Sequence, residues 1–159
     1  MRRVVLLLSV VVVAASSAAR AQAPAAPSHP GVLPAEIKWG PAPPALPPGA
    51  QMAVLAGDPG KEAMFVIRAK FPAGYRVAPH WHPTDELVTV ISGTLQFGMG
   101  DKVDAAALRA YPAGSFVIAP KEMRHYAQTK AETVIQVSGM GPFVLNYVNA
   151  ADDPRTKTQ

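Results

Sequence analysis

The chain of 159 residues contains no cysteine, so neither disulfides nor thiolate chemistry is open to it. Any site chemistry has to come from His, carboxylates, Tyr, Lys or Arg. Charged residues make up only 16% and aromatics only 7%, with no basic stripe carrying interleaved aromatics, which argues against a nucleic-acid partner. Lys and Arg number 15 against 11 Asp and Glu, but Arg2, Arg3 and Arg20 lie in the opening segment and the remainder is close to electrical balance. No apolar run reaches the ~20 residues that span a bilayer. A long amphipathic helix is equally missing, since the only helical pattern, VDAAALRA at 103–110, allows two turns at most.

What is present begins with a leader. Two arginines precede an apolar run from Val4 to Val13, interrupted by Ser9, and small residues then lead to Ala19-Arg20-Ala21. This is the three-part pattern of a secretory signal. Cleavage is expected after Ala21 rather than Ala23, because Pro24 would otherwise follow the scissile bond. A periplasmic or secreted protein with no stable membrane anchor after processing is expected.

From Pro24 to Pro48 nine of 25 residues are proline, a density that excludes regular helix and favours extended chain. Within it Ile37, Trp39 and Leu46 can pack as an arm along the domain or a neighbouring subunit, while His29 sits in the tether. After Ala63 the pattern becomes short β-rich runs at 63–71, 75–82, 86–92, 94–100, 115–120, 125–129, 133–139 and 143–148, separated by Gly and Pro. Such spacing predicts an all-β sandwich or barrel. The expected organisation is a signal peptide at 1–21, a Pro-rich tether and arm at 22–48, one β domain at 49–150 and a polar tail at 151–159.

Three of the four histidines, His80, His82 and His125, lie inside this β region. His80 and His82 share a strand face by alternation, and Glu86 has the same parity if the strand continues past Pro83 without a change of register. Two imidazoles and a carboxylate would then converge in a mixed N/O set that suits Fe(II), Mn(II), Ni(II), Cu(II) or Zn(II). An isolated His-x-His pair is otherwise ordinary surface or core histidine, and Glu86 alone an ordinary solvated charge. Phe65, Ile67, Leu95, Phe97, Phe116 and Ile118 alternate and are expected in the core or a cavity wall. Gly93 is expected to turn the chain between 86–92 and 94–100. Arg76, Arg68, Tyr126 and Gln136 lie on the same or neighbouring strands, and none is assigned a catalytic role.

Gly74-x5-His80-x-His82-x3-Glu86-x6-Gly93 resembles the first motif of the cupin superfamily at every defining position. Gly114-x5-Pro120 and His125 resemble the second motif, with two departures: Glu122 stands where glycine is usual, and Thr129 where asparagine is usual. The resemblance covers about residues 50–150. It implies a double-stranded β-helix, or small jelly-roll barrel, holding one divalent transition metal ion (Fe, Mn, Ni, Cu or Zn) through His80, His82, Glu86 and His125. It also implies a homodimer, for which Trp39 and the arm offer apolar surface.

The function expected from these features is a metal-dependent enzyme of dioxygenase, isomerase or lyase type acting on a small organic molecule in the barrel. The alternative is a non-catalytic periplasmic binding or sensing protein with a structural metal. A fold and a ligand set do not choose among such chemistries. No further histidine or cysteine supplies a general base, and the catalytic residues are not assigned.

Overall fold

The computed structural model describes residues 31–156, so the leader and His29 lie outside the described residues. Eleven strands follow one another: β1 (Gly40–Pro41), β2 (Gln51–Ala56), β3 (Met64–Phe71), β4 (Arg76–Trp81), β5 (Glu86–Ser92), β6 (Thr94–Met99), β7 (Arg109–Pro112), β8 (Phe116–Ala119), β9 (His125–Thr129), β10 (Thr133–Met140) and β11 (Asn146–Tyr147). They form two antiparallel sheets, ordered β1-β2-β3-β10-β5-β8 and β11-β4-β9-β6-β7, which enclose the core as a double-stranded β-helix.

Alternation places the side chains. On β3, Phe65, Ile67, Ala69 and Phe71 are buried while Val66, Arg68 and Lys70 face outward. Ile135 and Val137 of β10, Val88 and Val90 of β5, and Leu95 and Phe97 of β6 meet them in one apolar cluster. Burying such side chains supplies most of the stabilisation, roughly 1.5–3 kcal/mol for each large one.

Two expectations are corrected here, and one holds. Phe116 and Ile118 are about half exposed, and Val117 and Ala119 of the same strand are buried instead. Val117 pairs with the inward Val88, and opposed residues of an antiparallel pair share a face, so register decided between two apolar parities. Gly93 takes the positive φ expected of it, 76°, and turns the chain between β5 and β6, passing it from one sheet to the other. Residues 103–108 are not helical. The Asp104 backbone N–H and carbonyl both bond the Tyr126 hydroxyl, at 3.0 and 2.9 Å, and β7 begins at Arg109. Tyr126 is buried over Gly98, where a Cβ would collide with its ring. The loop thus covers the outer side of the five-stranded sheet instead of coiling on itself.

The Pro-rich arm lies along its own barrel. Gly40 pairs with Met52, Lys70 stands 4.5 Å over the Trp39 ring, and Leu46 packs against the core. Two tyrosines tie it down: the Tyr75 hydroxyl donates to the Pro47 carbonyl, and the Tyr147 hydroxyl to the Ala45 carbonyl at 2.9 Å.

Burial, with the nearby Asp153 carboxylate, pushes the Tyr147 phenol up to about 12. Burial also raises Tyr75. The folded state therefore holds these protons above the ordinary ~10, and stability present below pH ~10 should fall as pH rises through that window. Tyr147→Phe should remove one late-ionising phenol from an ultraviolet titration and lower stability by about 1 kcal/mol, the net value of one hydrogen bond. An unchanged titration curve would contradict the strap.

Candidate metal centre

His80 ends up inside the barrel because β4 is irregular. Its pairing with β9 shifts register between Val77 and His80, so both side chains line the interior although they are three residues apart. Arg76 is consequently exposed and does not share the face of His80. His82 follows the end of β4, and His125 opens β9 opposite His80, with which it is paired.

Glu86 reaches the same place by a different route from strand parity. The strand does not continue past Pro83; Glu86 opens β5, in the facing six-stranded sheet, and its carboxylate enters from across the barrel. The ligating nitrogens of His80, His82 and His125 lie within 4.8 Å of one another. A Glu86 carboxylate oxygen is 3.3 Å from His125 Nε2 and 3.6 Å from His82 Nε2. All four residues are buried.

The turn 120–124 that delivers His125 is fastened to the turn that delivers Glu86. Glu122 N–H donates to the His82 carbonyl at 2.7 Å, and Lys121 N–H to an Asp85 carboxylate oxygen at 2.8 Å. Glu122 holds φ at 62°, in the left-handed region that favours glycine, so the replacement of the usual glycine leaves the turn's backbone as glycine would shape it. The other departure, Thr129, is buried. Its hydroxyl donates to the Pro72 carbonyl at 2.7 Å, and its backbone pairs with Gly74 and Tyr75, locking β9 to the turn before β4.

Each imidazole is fixed by its Nδ1: His80 to the Ala78 carbonyl at 2.8 Å, His82 to Val144 at 2.8 Å and His125 to Met123 at 2.9 Å. A carbonyl only accepts, so Nδ1 carries the hydrogen in each ring and Nε2 is the nitrogen left free to act as a metal donor. The rings are further held by aromatic faces, Phe143 stacked on His82 at 4.3 Å and Phe97 on His125 at 5.1 Å. Burial, then the neighbouring His125 and His82, pushes His80 down to about 3, and burial lowers His82 as well. For Glu86, burial alone would raise the carboxyl, but the imidazoles of His125 and His82 outweigh it and the group stays ionised.

Three imidazole nitrogens and a buried carboxylate thus converge in one compact N/O donor set. His82 Nε2 and His125 Nε2 have no hydrogen-bond partner, a costly condition for buried nitrogen. The donor set fits a cation, and the cluster can hold a metal ion.

The cluster opens onto a cavity of about 220 Å³ lined otherwise by apolar side chains, among them Ile67, Val88, Leu95, Ile135 and Phe143, with Leu46 of the arm. Arg76, Arg68, Gln136 and Tyr126 do not line it; Arg68 instead donates to Gln136 at 3.2 Å. The fixing carbonyls had no sequence signal, because backbone acceptors carry no residue identity; Phe97 was signalled by alternation as core or cavity wall.

Residues 28–144 match the family model of the ChrR cupin-like domain. No curated protein matches the chain. Among solved structures, the polyketide cyclase RemF from Streptomyces resistomycificus superposes with TM-score 0.61 at 15% identity, over 77% of this chain and 87% of that one. A putative acetylacetone dioxygenase from Methylibium petroleiphilum PM1 gives 0.59 at 20% identity, over 76% and 81%. KdgF from a Halomonas species gives 0.53 at 20%, over 70% and 93%. At such identities the likeness establishes the fold alone.

His82→Ala should abolish stoichiometric metal uptake while the far-ultraviolet spectrum keeps its β signature, since the apolar core survives loss of one polar side chain. Glu86→Gln should weaken uptake less, retaining an oxygen donor without the charge. Metal content per chain decides both, and full occupancy in His82→Ala would defeat the assignment. Glu122→Gly should be neutral or stabilising by up to ~1 kcal/mol in denaturant unfolding, because relief at positive φ offsets glycine's greater unfolded-state freedom.

Proposed function

We propose that this chain, which belongs to the ChrR cupin-like domain family, is an exported metal-dependent enzyme acting on a small organic molecule inside its barrel. One observation carries the reading: three imidazoles with Nδ1 tied to backbone carbonyls, two of them with an unpartnered Nε2, converge beside a buried carboxylate on an apolar cavity. His80, His82, Glu86 and His125 would hold one divalent transition metal ion. Such an ion supplies Lewis acidity or an O2-binding centre.

The chain's own contribution is positional. Carbonyl-fixed rings keep the donor atoms in place without reorganisation, the arm and Phe143 exclude water, and the cavity wall orients the substrate. The structural neighbours described as a polyketide cyclase and a putative acetylacetone dioxygenase act, by those names, on small organic molecules. Export rests on the leader's pattern.

A second reading has support in the cavity lining. Among the described residues no titratable side chain beyond the four site residues lines it, so a binding or sensing protein that turns nothing over needs no additional group. Elemental analysis of the mature chain, purified without chelators, separates these outcomes. About one Fe, Mn, Ni or Cu per chain is expected, with an intact mass beginning at Gln22. Zinc alone, with tight small-molecule binding and no turnover, would favour the second reading. No metal even after reconstitution would refute both.

A further inference from the structure

We infer that the cavity takes a mainly hydrocarbon molecule, somewhat larger than benzene, that meets the metal through an oxygen head bearing a single negative charge. This rests on the metal-dependent reading above and narrows it to a substrate class.

The lining is the first ground. Among the described residues, every lining residue apart from His80, His82, Glu86 and His125 is apolar or glycine, and no Lys, Arg, Asn, Gln, Ser, Thr or Tyr side chain faces the space. The strands that form the wall commit their backbone groups to the ladders of the two sheets. A sugar or polyhydroxy acid entering here would give up its hydrogen bonds to water and find no replacements beyond the metal cluster.

Charge is the second. An imidazole binds a metal ion as a neutral ligand, so among the described lining residues Glu86 is the one anion that would face the ion. A divalent cation there leaves one positive charge in an apolar enclosure, and a monoanionic head cancels it. A dianion would leave a net charge of the opposite sign, and a neutral head would leave the positive one uncompensated.

Size is the third. An apolar protein cavity of roughly 150 Å³ admits benzene, and this one is about 220 Å³. His80, His82 and His125 lie where β4 ends and β9 begins, while Phe71, Leu95 and Ile135 line the cavity from the opposite ends of their sheets. A head at the cluster therefore directs the hydrocarbon body along the barrel.

The test holds the head constant and varies the body. Protein reconstituted with Co(II), its uptake checked as one ion per chain by mass spectrometry before and after titration, is titrated calorimetrically with acetohydroxamate, benzohydroxamate and galacturonate. Benzohydroxamate should bind at least about tenfold more tightly than acetohydroxamate, and galacturonate should give no saturable heat. Equal affinities for the two hydroxamates, or galacturonate binding as tightly as benzohydroxamate, would overturn the inference while leaving the metal reading intact. Failure to take up cobalt would instead overturn the metal reading, and the oxygen head with it.

Discussion

Three backbone carbonyls, those of Ala78, Met123 and Val144, set the chemistry of this barrel. By accepting Nδ1–H they fix each imidazole's orientation, leaving Nε2 as the nitrogen that can serve as a donor to a metal. Buried as they are, the Nε2 atoms of His82 and His125 find no hydrogen-bond partner. The rest of the site follows from this single constraint: the cluster can hold a cation, and the walls around it are apolar.

The carbonyls can act this way because the strands bring them into place. The His80↔His125 pairing sets two rings side by side, the irregularity in β4 turns His80 inward, and the bonds of Glu122 to His82 and Lys121 to Asp85 knit the two delivering turns together. Glu86, arriving from the opposite sheet, closes the ring of donors. The site is thus a junction between sheets, and neither sheet carries it alone.

Much of this was legible in the residues. Period-two alternation with Gly and Pro punctuation announced the barrel, and the spacing of His80, His82, Glu86 and His125 announced the cluster. Less visible was how the parts meet. Parity suggested a continuous strand through Pro83, whereas the convergence of Glu86 is a cross-barrel contact that spacing cannot express. In FVIA at 116–119 both parities are apolar, so only pairing with β5 could say which faces inward. The short segment at 103–108 has helical composition, but its Asp104 backbone is claimed by Tyr126, a partner 22 residues away. Tertiary claims of this kind leave no local trace.

The arm has a further consequence. Ala45 and Leu46 form part of the cavity wall, and the tyrosine hydroxyls hold their segment from outside. A segment with linker composition therefore sets the local dielectric around the cluster, because its seating decides how much solvent shares the enclosure. The polarity of the space that the candidate ligands face can in this way be adjusted by substitutions in a proline-rich stretch remote from them in sequence.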